Sequence, residues 1–237
     1  PDPEPDPEPD PEPDPEPEYK NKTNNKYVDF VSDEIFEELC KDIFDTYRKD
    51  NNIEKNIIDP FKLTFDLYGY NISENEWKER EIARQTDKSI NNQIGYFHQK
   101  LLGNVKNWIN LDNDKKLAEK YRVDLCNLEQ DIFIEIKNKF NTMNSSSQRD
   151  VIKRLRDIKN NNNNAKIYIG IIIKKGDAIT IKNDIKFING QTLYKIVTGD
   201  NDAFSKTLDG IKKCLCNIKK INPVSLEFLE MCGKKII

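Results

Sequence analysis

The chain has 237 residues, with 38 Lys and Arg against 41 Asp and Glu and a formal charge of −3, so it is neither a strongly basic nor a strongly acidic polyelectrolyte. Its longest apolar stretch, Ile167 to Ile173, is far short of the roughly 20 residues needed to cross a bilayer, which excludes an integral membrane class built on helices. Five cysteines at 40, 126, 214, 216 and 232, an odd number without paired zinc spacing, argue against a disulfide scaffold or a zinc module, and one histidine excludes a His-rich metal site.

Residues 1–18 are a strict Asp-Pro-Glu-Pro repeat holding nine of the eleven prolines and nine of the acids. Proline at every second position denies both helix and sheet ladders, so this segment is expected to be extended and disordered. Without it the chain carries 38 basic against 32 acidic residues, a formal +6, a mild excess that fits a phosphate-binding protein and also many proteins with no polyanionic partner. The expected division is an acidic Pro-rich tail or linker over 1–26 and one folded domain over 27–237.

Ser32, Asp33 and Glu34 open a helix with Ile35, Phe36, Leu39, Ile43, Phe44 and Tyr47 at helical spacing. Asp59-Pro60 breaks the chain before a short apolar segment, Phe61 to Leu67. A second helix from about Ser89 to Val105 buries Ile90, Ile94, Phe97, Leu101 and Leu102, and Trp77 and Trp108 read as core or interface residues. Next come two strand-like runs, Val123–Leu128 and Ile132–Ile136, separated by Glu129, Gln130 and Asp131. Glu129 and Asp131 are expected to face solvent. Ser147 and Asp150 can cap a helix carrying Val151, Ile152, Leu155 and Ile158, which Asn160 to Asn164 end. Lys166–Lys174 is a buried strand by its β-branched run, so strand, helix, strand predicts a parallel crossover. Strands at 178–182 and 185–188 and helices near 191–198 and 202–219 complete an α/β domain. Cys214-x-Cys216 falls within the last helix as packing.

The hairpin over 123–138 carries the chemistry. Strand side chains alternate between faces, so Phe133, Glu135 and Lys137 share one face and Ile132, Ile134 and Ile136 the other. Folding the two runs together brings Asp124 alongside Glu135, so two carboxylates and an ammonium meet at one sheet edge. Mg²⁺ favours such oxygen ligands, with water and substrate phosphate completing its shell. Asp124 and Glu135 are the candidate ligands, the Ile136 carbonyl a neutral third, and Lys137 the group that orients water and neutralises phosphate charge. An ordinary amphipathic hairpin also gives this spacing, and the pattern alone does not decide between them.

Further blocks decide. Asp-Pro-Phe-Lys-Leu (59–63), Asp-Lys-Ser-Ile-Asn-Asn (87–92), Gly-x-Phe-His-Gln-Lys-Leu-Leu-Gly (95–103) and Glu-Ile-Lys-Asn-Lys-Phe-Asn-Thr-Met-Asn-Ser-Ser-Ser (135–147) resemble type II restriction endonucleases of the PD-(D/E)xK superfamily, in the subgroup that cuts GGNCC-type sites. The resemblance covers roughly residues 28 to 220. It implies a restriction-endonuclease-like core, a mixed central sheet flanked by helices, with a helical N-terminal part. It puts Asp124, Glu135 and Lys137 on the motif's acidic pair and lysine, with Val123 where the motif's name has proline.

The resemblance also implies that the polar connection after the catalytic strand touches double-stranded DNA. The candidates are Asn138, Lys139, Asn141, Thr142, Asn144, Ser145, Ser146 and Ser147, then Arg149 and Lys153 on the following helix. His98 reads first as a packed or hydrogen-bonded residue. The helix holding it offers Gln93 and Gln99 where such nucleases often place an acid, so His98 and Gln99 are candidates for a supporting role behind the ligands. A palindromic target implies a twofold homodimer. A cognate DNA methyltransferase is expected as a genetic partner, no membrane is expected, and the setting is expected to be a prokaryotic cytoplasm. The alternatives are a repair or recombination nuclease on the same core and a DNA-binding module with a lapsed site.

Overall fold

A computed structural model describes residues 25–48, 57–140 and 143–219. The Asp-Pro-Glu-Pro segment, and Asn141 and Thr142 among the expected DNA contacts, lie outside the described residues. The elements run α1 (Asp33–Thr46), α2 (Pro60–Tyr70), α3 (Glu74–Gly103), β1 (Ile109–Asn110), a 3₁₀ turn (Leu111–Asn113), α4 (Lys115–Tyr121), β2 (Leu125–Asn127), β3 (Ile132–Lys139), α5 (Ser145–Asn161), β4 (Lys166–Ile173), β5 (Ile179–Lys182), β6 (Ile185–Asn189), α6 (Gly190–Thr198) and α7 (Ala203–Lys219).

The six strands order as β1-β2-β3-β4-β6-β5. β3, β4 and β6 are parallel, while β1, β2 and β5 attach antiparallel at the two sides. This is the expected mixed sheet, and α5 makes the β3-to-β4 crossover. Each strand divides its side chains between two cores. On one face Leu125, Ile132, Ile134, Ile136, Ile172 and Ile188 pack with Phe36, Phe97, Leu101, Leu102 and Leu193 from α1, α3 and α6. On the other, Cys126, Phe133, Ile167, Ile169, Ile171 and Phe187 pack with Val151, Ile152, Leu155 and Ile158 of α5. Gly170 lets α6 close on the first face, because a Cβ there would stand 2.9 Å from the Leu193 side chain.

α1 begins where the sequence places it, with the Ser32 hydroxyl accepting from Ile35 N. α3 starts 15 residues before the expected Ser89 and is closed at its start by a reciprocal Ser73–Glu76 capping box. The Asp59-Pro60 step is a helix start rather than only a break. The Asp59 carboxylate accepts from Phe61 N and Lys62 N, and Pro60 occupies the first turn, where its missing N–H costs nothing. α5 is capped by Asn144, whose side chain accepts from Ser147 N, not by Ser147 and Asp150. Trp77, Trp108 and Cys214 are buried. Glu129 is exposed as expected, but Asp131 is half-buried and accepts from Asn162 Nδ2 at 2.7 Å, because it sits at φ 55° at the mouth of the crossover. Among the described residues no helix is long and apolar enough to cross a membrane.

Candidate active site

β2 and β3 are antiparallel with Leu125 opposite Ile134 and Cys126 opposite Phe133. The same register puts Asp124 opposite Glu135 at the point where the β2 ladder stops. Asp124 N donates to Ile134 O at 3.2 Å, and the Asp124 carbonyl accepts from Leu111 N at 3.0 Å. Its carboxylate then takes the next ladder position, accepting from Ile136 N at 2.6 Å. Three bonds on one residue fix the direction of this side chain.

Glu135 points to the α5 face with Phe133, and only 5% of its surface is exposed. Its Oε1 accepts from Lys137 Nζ at 2.7 Å, two residues along the same strand face. Arg154, from α5, brings an NH2 nitrogen to 3.6 Å from the same oxygen. Asp124 keeps a route to solvent but is enclosed by protein on most sides. Burial first, and the negative Glu135 second, push its carboxyl from 3.8 up to about 7, against the opposing pull of Lys137 and the Ile136 N–H.

The shift comes mainly from taking the carboxyl out of water, with the facing Glu135 charge adding to it. Two carboxylates facing one another across the β2–β3 hairpin suit a hard cation that takes oxygen ligands. Among the described residues, no group of three or more His, Cys, Asp or Glu side chains is placed to hold a metal on its own. Asp124 and Glu135 are the two facing carboxylates available as candidate ligands, and a cation held by them would leave its remaining positions to a backbone carbonyl, water and substrate oxygen.

The structure separates the two residues singled out on α3. His98 lies among the first-face residues, with Nδ1 2.7 Å from the Tyr194 hydroxyl and its ring edge-on to Phe97 and Tyr194. Burial lowers its pKa to about 4, so it is a neutral packing residue. Gln99 instead reaches toward the site. Its amide donates to Asn110 Oδ1 at 3.0 Å and to Asp112 Oδ2 at 2.9 Å, and Asp112 adds a further negative charge felt at Asp124. Gly103 makes this approach feasible, since a Cβ there would stand 2.5 Å from the Asn110 Cβ.

The polar connection is only partly drawn together. Asn138 is half-buried beside the active strand, and Lys139 is exposed with Nζ donating to Asn91 at 2.9 Å. Asn144 and Ser146 bond one another at the α5 cap, and Ser145, Ser146 and Ser147 form the exposed first turn. Arg149 and Lys153 face outward and line an open cleft with Arg156 and Asn183. Sequence reasoning missed Asp112 and Arg154 as neighbours of the site. The only sequence signal for Asp112 was the absence of an acid from residues 89–103 of α3, and for Arg154 its place in a basic helix.

The model of the Eco47II restriction endonuclease family matches residues 28–220. The chain is 29% identical over 205 residues to the type II restriction enzyme Sau96I of Staphylococcus aureus, an alignment covering 76% of each chain. It is 30% identical over 204 residues to the type II restriction enzyme Eco47II of Escherichia coli, covering 76% of this chain and 82% of that enzyme.

Proposed function

The chain belongs to the Eco47II restriction endonuclease family, and on that premise we propose that it cuts both strands of DNA at a GGNCC-like palindrome using Asp124, Glu135 and Lys137. It is a type II site-specific deoxyribonuclease. The observation that carries the residue assignment is the hairpin register, which sets Asp124 against Glu135 with Lys137 bonded to the latter, all within the matched region.

Asp124 and Glu135 would hold Mg²⁺, with the Ile136 carbonyl as a neutral ligand. When bound, the ion supplies a water of lowered pKa and charge stabilisation for the phosphate. Glu135 and Lys137 form a bonded pair that keeps the ammonium at the strand edge, where it orients the attacking water and offsets phosphate charge. Asp124 is held by the Ile136 N–H, so its unbonded oxygen has a defined direction.

DNA would lie along the end of β3 and the start of α5. There Asn138, Lys139, Asn141, Thr142, Asn144 and Ser145 to Ser147 supply short amide and hydroxyl donors and acceptors, and Arg149 and Lys153 supply cations. Reading G·C pairs requires donors to guanine O6 and N7, and Arg149, Lys139 and Lys153 are of that type. A prokaryotic cytoplasm, with a methyltransferase of matching specificity protecting host DNA, is the setting we infer.

A palindromic site calls for two copies related by a twofold axis. We assign their contact to α2. That helix buries none of its residues in the subunit, and Phe61, Phe65 and Tyr68, spaced to share one face, are 75%, 77% and 85% exposed. At ~150–250 Å² per ring, they offer on the order of 400 Å² of apolar surface, about half of what each partner in a stable interface contributes.

The test is a plasmid digest with Mg²⁺ followed by sequencing of the ends. Discrete fragments ending within GGNCC are expected. Structure-dependent nicks would make the protein a repair nuclease, and retardation without cutting would make it a binding module.

A further inference from the structure

Arg154 is engaged with the site without being satisfied by it. Val151, Ile152, Leu155 and Ile158 bury α5 against the sheet, and Arg154 leaves the same helix toward Glu135 while Arg149, Lys153 and Arg156 line the outward cleft. Its NH2 nitrogen stops 3.6 Å from Glu135 Oε1, beyond hydrogen-bond range, and that oxygen is already taken by Lys137 at 2.7 Å. The Arg154 Nε–H is buried, and among the described residues it is the one such side-chain nitrogen or oxygen without a hydrogen-bond partner. A guanidinium held only to neutralise Glu135 would close to a bonded fork, as Arg84 does on Glu81 at 2.7 and 2.5 Å. Arg154 keeps an unpaired Nε–H beside the Glu135 carboxylate, and about a quarter of its side chain is open to solvent. An oxyanion entering from solvent is the ligand that geometry lacks.

We propose that Arg154 binds the phosphodiester that is cut, its Nε–H and one NH2 group donating as a fork to the non-bridging oxygens. In the cleavage step a water oxygen bonds to phosphorus and gives up a proton to solvent. The bond from phosphorus to one ester oxygen breaks, and that oxygen leaves with a proton. Negative charge on the non-bridging oxygens rises between these events, and the guanidinium, once turned so that its buried Nε–H meets the phosphate, stabilises it. The proposal rests on the assignment of Asp124, Glu135 and Lys137 as the cleavage site.

The experiment compares wild type, Arg154→Lys, Arg154→Gln and Arg154→Ala on a duplex bearing the site found by end sequencing. Binding is measured in EDTA to that duplex and to one carrying a neutral methylphosphonate at the cut position, and single-turnover cleavage is measured separately with Mg²⁺. Wild type should lose roughly tenfold in affinity on the neutral duplex, a difference that Arg154→Gln and Arg154→Ala reduce to the smaller part owed to Lys137. Their cleavage at saturating protein should fall by roughly 100-fold, with Arg154→Lys recovering little because an ammonium lacks the fork. Equal binding of the two duplexes by wild type, or discrimination in Arg154→Gln and Arg154→Ala as large as in wild type, overturns the proposal. So does a variant series that loses thermal stability and binding to both duplexes in parallel, which would make Arg154 structural. Wild type that leaves plasmid uncut with Mg²⁺ sinks the reading of the site itself, and Arg154 with it.

Discussion

The β2–β3 hairpin and the arm formed by α2 and the first half of α3 obey opposite rules. At the hairpin, the Asp124 N–H, carbonyl and carboxylate are all bonded, and Leu125, Ile134 and Ile136 lock its first face into a core. In the arm, α2 buries no residue, and over 74–89 only Trp77 and Glu81 of α3 are buried. What holds the arm is polar: Trp77 Nε1 donates to Asp66 at 3.1 Å, Glu81 accepts from Arg84 and Gln85, and Ser73 and Glu76 cap each other. The proposed chemistry sits where the backbone has no choice, and the surface we assign to a second copy sits where it has more. The two regions should therefore answer substitution differently.

The largest effect is expected at the hairpin. Asp124→Asn keeps an acceptor for the Ile136 N–H but removes the charge, and Glu135→Gln and Lys137→Ala remove one charge each from a bonded pair. Each should lower plasmid cleavage by roughly 10³-fold or more while the circular dichroism spectrum is unchanged. An Asp124→Asn protein that digests plasmid at near-normal rate would remove that residue from the mechanism. Ca²⁺ should support DNA binding with little hydrolysis, because its looser coordination does not impose the octahedral geometry of Mg²⁺.

The next contrast is in the core beneath that edge. Ile134 is fully buried between the sheet and its helices, so Ile134→Ala should cost about 3 kcal/mol in urea unfolding through lost burial and a residual cavity. A cost below about 1 kcal/mol would mean that the hairpin is not anchored as its packing implies.

The hairpin was legible because its signals are local. Period-two alternation assigned the faces, and a short turn fixed which residues stand opposite each other. α5, β4, β6, α6 and α7 were legible for a similar reason, each having a strong apolar row bounded by polar residues. The first half of α3 gave periodicity almost nothing to detect, since its side chains are mostly charged and exposed, and the informative signal was the Ser73–Glu76 box. The Asn144 cap was hidden by the run of competing cap residues around it. Gln99, Asp112 and Arg154 come from three separate segments, and only the packing of α3 and α5 against the sheet brings them to the hairpin. No spacing rule reports that convergence.

Asp124 also predicts a conflict between catalysis and stability. Its carboxyl is raised from 3.8 to about 7, so the folded protein favours the neutral form. For a raised acid, the stabilising contribution is fully present below the unfolded value near 4 and is lost as pH rises through about 7. In the absence of divalent metal, Asp124→Asn should therefore be more stable than wild type at pH 8, by on the order of 2 kcal/mol once solvent access is allowed for. The two should converge near pH 4. Thermal melts across pH 4–8 in EDTA check this, and a constant difference at all pH values would assign the effect to something other than Asp124 ionisation.

The smallest effect on the folded subunit belongs to the arm, and its smallness is diagnostic. Phe65 and Tyr68 are 77% and 85% exposed, so Phe65→Glu with Tyr68→Glu removes little buried surface and should change subunit stability by less than about 0.5 kcal/mol. If α2 forms the twofold contact, the same pair places four like charges in a desolvated interface and should leave the protein monomeric in sedimentation at micromolar concentration. Catalytic residues would be intact, yet concerted double-strand cleavage would give way to slow nicking, because each subunit would reach one strand alone. A double variant that still sediments as a dimer would move the contact elsewhere. One that unfolds would show that the arm is held by its aromatic stripe rather than by the polar bonds of Asp66, Trp77 and Glu81.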